Sequence, residues 1–273
     1  MATRGPKKPL VSRIWHSIQQ LLVSPLEAAA DPATDPDRLR ELAEHENEAV
    51  QRAALKNPAL PEDVWREQLL FGMPEAWDNP LAPICLLVWT PQEGDRYPLE
   101  LAIRLATHAL WKEPDRLSSK GKALLNTKIL EWWATSVSAI HMIEFLWPLA
   151  YSKGSGSPEH KELVRIIVLC VRTMPRLNAK DRQALDLLEA WCAGGEDQRL
   201  RAETLASSNP VQLTVEFAKD PWVSYYAWGS IFAVLKEFEV GKDGTKREDA
   251  MAKQNLLLAD LIRREMPLPP QVN

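Results

Sequence analysis

Five histidines and three cysteines are the side chains in this chain best suited to metal or nucleophilic chemistry. His16, His45, His108, His141 and His160 are scattered, with no HExxH pattern and no cysteine–histidine cluster, so the spacing of zinc ligands is missing. Two pairs share a helix face: Glu41 with His45 at i, i+4, and His141 with Glu144 at i, i+3. Each is half of a site. The first reads as a surface pair and the second as a buried, hydrogen-bonded pair, with a ligand role as the sharper alternative. Cys192 stands just ahead of a diglycine near a helix end and reads as a core cysteine before it reads as a nucleophile. The chain holds no GxSxG, no P-loop and no GxGxxG after a strand. The expectation is a protein with no reaction of its own, no cofactor and no metal.

Charge offers two further chemistries. The most acidic stretch gathers Glu41, Glu44, Glu46 and Glu48 beside Asp35 and Asp37. Such a run can mimic phosphate against a basic cleft, or it can simply solvate a surface. Basic residues cluster at Lys180, Arg182, Arg199 and Arg201, and again at Lys242, Lys246 and Arg247. Asp181, Glu196, Asp197, Asp243 and Glu248 are interspersed, as on a solvated face. With a net charge of −4, no global attraction to nucleic acid or anionic lipid is expected. DNA binding would need a concave basic surface and would be strongly salt-dependent.

Scattered cysteines and an N-terminus without an apolar signal core point to a reducing, cytoplasmic setting. The most apolar window, Ile129 to Tyr151, contains Glu131, His141, Glu144 and Pro148 and reads as a buried helix, not a membrane span. The 11 tryptophans are expected to fill spaces between helices, with a few exposed as partner anchors.

The elements that position these residues are helical. After a basic tail over residues 1–9, Leu10 to Val23 carries an apolar stripe at spacings of three and four, and Pro25 ends it. This helix caps the repeats that follow or, with Lys7, Lys8 and Arg13, lies on a membrane surface. From Asp31 to Pro83 proline and asparagine punctuate short apolar runs. Asn57-Pro58-Ala59-Leu60-Pro61 and Asn79-Pro80-Leu81-Ala82-Pro83 are near copies, and a fixed breaker at such a period indicates stacked helical units. Gly72 to Pro83 reads as a loop carrying Trp77, and Ile84 to Trp89 as a helix or a strand.

Pro36-Asp37-Arg38-Leu39-Arg40-Glu41-Leu42-Ala43, then Glu48-Ala49-Val50-Gln51-Arg52-Ala53-Ala54, then Asn57-Pro58-Ala59-Leu60-Pro61, resembles the leucine-rich repeat variant. The resemblance implies an α-helix alternating with a 3₁₀-helix in a right-handed solenoid, over units at about 31–61 and 58–83. Gln51 departs from the arginine usual there, and the cysteine cluster of one branch of that family has no counterpart. A second segment, Leu187-Leu188-Glu189-Ala190-Trp191-Cys192-Ala193-Gly194-Gly195 with Arg199-Leu200-Arg201-Ala202-Glu203, is similar to immunity proteins of bacterial polymorphic-toxin systems. That resemblance implies a cytoplasmic inhibitor of a cognate toxin.

From Tyr97 the helices lengthen: Leu99–Trp111, Ser119–Ser136, Ser138–Ala150, Pro158–Met174, Ala179–Ala193, Glu196–Ser208, Leu213–Lys219, Trp222–Phe238 and Arg247–Met266. Trp222–Phe238 looks like the core helix of the second half. Lys153 to Pro158 is either a flexible joint or a helix–helix loop. The expected fold is all-α, built of stacked helical hairpins. A tail and capping helix occupy residues 1–30, a repeat region 31–95 and a helical domain 96–273. The expected function is protein binding through exposed residues of the repeats: Asp37, Arg38, Glu41, Glu44, Arg52, Trp65 and Trp77. A scaffold docked to membrane through residues 10–23 and a DNA-binding repeat protein are the alternatives.

Overall fold

The computed structural model describes residues 23–87, 98–237 and 247–272. The basic tail, the helix expected from Leu10, Trp89 and the turn expected at Val240–Gly244 lie outside the described residues. Among the described residues the fold is all-α with no strand, and no helix is long and apolar enough to cross a membrane.

The chain divides into two compact units, residues 1–106 with 115–124, and residues 107–114 with 125–273. The first contains α1 (Pro25–Ala30), α2 (Pro36–Ala43), α3 (Glu48–Leu55), α4 (Glu62–Leu70), a 3₁₀ turn (Pro74–Asp78) and α5 (Ala82–Leu87). Helices α6 (Pro98–Lys112) and α7 (Ser119–Thr135) begin in the first unit and end in the second. The second continues with α8 (Ala139–Lys153), α9 (Pro158–Arg172), α10 (Ala179–Cys192), α11 (Arg199–Leu205), α12 (Asn209–Lys219), α13 (Ser224–Glu237) and α14 (Arg247–Glu265).

Local chemistry sets the short helices of the first unit. Ser24 and Glu27 close a capping box on α1, and Asp35 and Asn47 cap α2 and α3 through the N–H groups of Asp37 and Asn47's neighbour Ala49. The turns between them are joined by a ladder of Asx side chains. Asn57 Nδ2 donates to the carbonyls of Ala29 and Asp31, both at 2.9 Å. Asn79 Nδ2 repeats this one unit on, donating to Leu55 and Asn57 at 2.9 Å. In both residues Oδ1 accepts the N–H two positions ahead, from Ala59 and from Leu81. Asp31 makes the same turn, accepting from the Ala33 N–H. Asp31, Asn57 and Asn79 therefore shape three equivalent turns, and the two amides bond back to an earlier turn, pairing the Ala29 and Leu55 carbonyls and adding a second donor to those of Asp31 and Asn57, which also accept the N–H of Thr34 and Leu60.

The stretch read as a loop around Trp77 is the 3₁₀ turn, and the ambiguous run after it is helix α5. α4 ends in a Schellman turn: Met73 N–H bonds to Gln68 and Gly72 N–H to Leu69. Gly72 has φ +78, and a Cβ there would lie 2.7 Å from Leu105 Cβ, so this turn needs glycine for both reasons.

In the second unit α9 is the hub. It packs on α8, α10, α12, α13 and α14, and Leu163, Val164, Ile166, Ile167, Val168, Cys170 and Val171 are buried. The central helix is thus α9 and not α13, whose Tyr225 and Phe232 are exposed. His160, in the first turn of α9, is fully buried, with Nδ1 accepting from Gly156 N–H at 2.9 Å and Nε2 3.0 Å from the Phe217 carbonyl. The imidazole is therefore the neutral Nε2–H tautomer, and it pins the turn between Lys153 and Pro158 inside the unit. The expected diglycine stop of α10 is a second Schellman turn, with Gly195 N–H on Ala190, Gly194 N–H on Trp191 and Gly194 at φ +92.

Candidate functional site

All seven residues expected to bind a partner lie in the first unit. The two aromatic ones do not serve as exposed anchors. Trp65 and Trp77 are each only 2% exposed. The Trp65 indole N–H donates to the Ala76 carbonyl at 2.6 Å, which ties α4 to the 3₁₀ turn. Trp77 is core, and its buried indole N–H has no hydrogen-bond partner among the described residues. In so small a unit the interior between short helices needs large side chains, and the two tryptophans supply that volume.

Arg52 is held by carboxylates. It pairs with Glu48, four residues earlier, and its Nε lies 3.2 Å from Glu75 Oε1. Glu75 is fully buried at the start of the 3₁₀ turn. Arg116 grips it as a fork, Nε to Oε1 at 2.9 Å and Nη2 to Oε2 at 3.1 Å. Arg116 Nη2 also lies 3.6 Å from Glu48, which closes a ring of two carboxylates and two guanidinium groups. Beside it, Lys56 pairs with Asp78 at 3.0 Å, and Asp78 accepts the N–H and hydroxyl of Ser118. Opposite charges are matched throughout, so this network fixes the turn to α3 and leaves little field for a ligand. Glu75, Asp78 and Arg116 were not legible as a group, because Arg116 is 41 residues from Glu75 and no local pattern joins them.

The acidic run is sorted by the fold. Asp35 is used as a cap, Glu48 joins the ring, and Glu41 pairs with Arg38 three residues before it. Arg40 is engaged by Asp63 at 2.7 Å. Asp37, Glu44 and Glu46 are exposed and have no ion pair among the described residues. These three carboxylates sit on α2 and the turn after it, whose neighbours are stitched by the Asn57 rung. His45, expected to face Glu41, instead accepts the Asn47 N–H on Nδ1 at 3.0 Å. No group of three or more His, Cys, Asp or Glu is placed to hold a metal ion among the described residues.

In the second unit the basic cluster is largely committed internally. Arg199 bonds Asp197 through Nε and Nη2, reaches the Ala218 carbonyl at 2.8 Å, and lies 4.6 Å from the centre of the Trp191 ring. The Arg199 hydrogen bond holds the Asp197 carboxyl down at about 2. Arg182 is turned back onto the Leu177 carbonyl. Burial pushes the Asp181 carboxyl up, yet the N–H groups of Ser207 and Ser208 outweigh it and hold it below the ordinary carboxylate range. Lys180 and Arg201 remain exposed and isolated from that network. The cysteines are not activated: burial pushes Cys170 and Cys192 up to about 12 and raises Cys85.

Comparison with protein-family models, with curated proteins and with solved structures finds no match to this chain.

Proposed function

We propose that the chain is a protein-binding module without a reaction of its own, and that its working surface is the acidic face of α2. In its most specific form it is an immunity-type inhibitor that occludes the basic cleft of a cognate toxin, built on repeats of the leucine-rich-variant kind. One observation carries the reading: Asp37, Glu44 and Glu46 are exposed on α2 and the turn after it and make no ion pair among the described residues, while Arg40, the cation near Asp37 and Glu44, is held by Asp63. A fixed array of unpaired carboxylates speeds encounter with a basic partner and selects against acidic ones. The committed arginines of the second unit weigh against nucleic acid as the partner, because a phosphate-binding stripe needs cations that are not already spent.

The test is affinity capture from the native host with the wild-type chain and with the triple variant Asp37→Lys, Glu44→Lys, Glu46→Lys as bait. The expected result is one stoichiometric basic partner, retained by the wild type and lost by the variant, with binding weakened by salt. No stoichiometric partner, or equal retention by both baits, sinks the proposal. Liposome flotation and DNA retention at graded salt separate it from the membrane and nucleic-acid alternatives.

A further inference from the structure

The turn Lys153-Gly154-Ser155-Gly156-Ser157-Pro158 joins α8 to α9 on few bonds. Gly154 and Gly156 take φ +85 and +79, and a Cβ on either would meet nothing within 4 Å, so the backbone there is not wedged by neighbours. Ser157 caps α9 by accepting the His160 N–H at 3.1 Å. Ser155 Oγ accepts from Arg199 Nη1 at 3.1 Å and donates to the Lys219 carbonyl at 3.4 Å, a long bond for a hydroxyl. Toward the interior, the Gly156 N–H donates to His160 Nδ1 at 2.9 Å.

The imidazole is held from both sides by main chain. Its Nε2 donates to the Phe217 carbonyl of α12 at 3.0 Å. The Trp191 and Phe217 rings cross it at 71° and 86°, with centroids 5.8 and 5.2 Å away. These two anchors respond oppositely to a proton. A neutral imidazole accepts at one nitrogen and donates at the other, whereas an imidazolium donates at both. Protonation therefore keeps the bond to Phe217 and strengthens it by charge. At Gly156 it sets two N–H groups against each other. The ring is fully buried between two aromatic rings, so the glycine turn is the side that yields.

The surrounding charges do not compensate an imidazolium. Arg199, ahead of α11, opposes a second positive charge, and Asp197 beside it is paired with Arg199. On α12, Lys219 is paired with Glu203 and Glu216. On α10, Glu189 is held by Arg172, and the Cys192 thiol, pushed up to about 12, is neutral. On α14, Glu265 is held by Arg165, which also forks Glu162 of α9. Helix α13 has no charged residue before Lys236, α8 brings His141, Glu144 and Lys153, and Glu159 and Lys161 flank the histidine on α9 itself.

We propose that His160 is the latch of an acid-released turn: on protonation the turn from Lys153 to Pro158 lets go of α9 while Nε2 keeps the ring on α12, so the turn opens locally before the second unit unfolds. The proposal does not rest on the acidic face of α2.

The experiment follows the His160 ring by NMR in the full chain from pH 8 to 4.5, together with amide hydrogen exchange of residues 153–158 and 163–171. Exchange is expressed as protection factors, which removes its intrinsic pH dependence. The expected result is that protection of the Gly156 amide falls at least about tenfold through the midpoint at which the ring titrates, while residues 163–171 stay protected. Arg199→Gln removes a positive charge and is expected to raise the ring midpoint, with the exchange midpoint following it. A merely structural effect of that variant would change protection equally at every pH. His160→Gln is expected to abolish the transition, and Arg199→Gln carries the test alone should His160→Gln not fold. Unchanged protection of the turn through the ring midpoint overturns the proposal. So does an exchange midpoint that stays put when the ring midpoint moves. Loss of protection over 163–171 together with the turn, or a ring that titrates only once the unit has unfolded, overturns it as well, because the event is then global.

Discussion

Asn79 donates its side-chain amide to the main-chain carbonyl of Asn57 at 2.9 Å, so one rung of the first unit is bonded to the backbone of the rung before it. Asn79 also holds Leu55 and accepts from Leu81, three bonds in all from one buried side chain. Asn79→Ala is expected to destabilise the chain by about 2–4 kcal/mol, since the Leu55 carbonyl and the Leu81 N–H lose their partner and the Asn57 carbonyl keeps only Leu60 N–H. Asn79→Asp keeps the bond from Leu81 but turns a carboxylate oxygen toward two carbonyls, and is expected to be the worse of the two. Urea denaturation of both variants is the check. An aspartate variant as stable as wild type would mean the ladder contributes nothing.

The two buried tryptophans are expected to respond oppositely to loss of the indole nitrogen. Trp65→Phe takes from the Ala76 carbonyl the shorter of its two bonds, leaving the one from Asn79 N–H, and opens a gap, for a cost of about 2–3 kcal/mol. Trp77→Phe leaves a gap but removes a buried donor that has no partner, so the two terms offset to within about 1 kcal/mol. Thermal denaturation of the pair would show it. Equal losses would refute the assignment.

Glu75→Gln removes the charge that holds Arg52 and Arg116 together. The expected loss is about 2–4 kcal/mol, near the lower end because Arg52 keeps contact with solvent. Arg116→Met in the Glu75→Gln background should cost much less than in the wild type. A double-mutant cycle measures this, and additive effects would mean that the ring is not a unit.

His160 gives the pH dependence. Burial lowers its pKa from the ordinary 6.5, the Phe217 carbonyl opposes the shift, and Arg199 adds to it. Burial and Lys112 lower His108 in the same sense. Below pH 6.5 the unfolded chain takes up protons that the native imidazoles refuse. Stability is therefore complete above that value and falls as pH drops toward the folded pKa, by at most about 1.4 kcal/mol per pH unit for each histidine. The variant His160→Gln should be less stable at pH 7.5 yet lose less between pH 7 and 5. A wild-type slope retained in the variant would assign the effect elsewhere.

Most helices from α2 on were legible because their signals are local, whereas α1 begins at the same Pro25 that reads as a helix stop. Caps such as Ser157, Asn178 and Asp35, prolines at first positions and the diglycine after α10 each act within a few residues. What failed was everything set by distant partners. Asn57 and Asn79 were visible as copies, but they look like helix stops until the carbonyls 22 to 28 residues upstream come into view. Asp31 is the same rung with a carboxylate in place of the amide, which hides it from a search for repeated asparagine. Trp65 and Trp77 are expected on the surface from their position in the repeats and their residue type, neither of which shows how the turns close over them. Helix α9 carries Lys161, Glu162 and Arg165 and reads as one-sided. Yet its polar groups lie at one margin while five helices cover the rest.

The Asx ladder has a direction, and its chemistry gives it a terminus. An amide both gives and takes, so Asn57 and Asn79 each look back to an earlier turn while shaping their own. A carboxylate only takes. Asp31 folds its own turn through Ala33 but has no hydrogen to offer any chain lying ahead of it. Among the described residues Asp31 is thus the first turn of the array and bonds to no earlier one. Changing Asp31 to asparagine would supply the missing hydrogen, and with it a place where a grafted additional unit could attach.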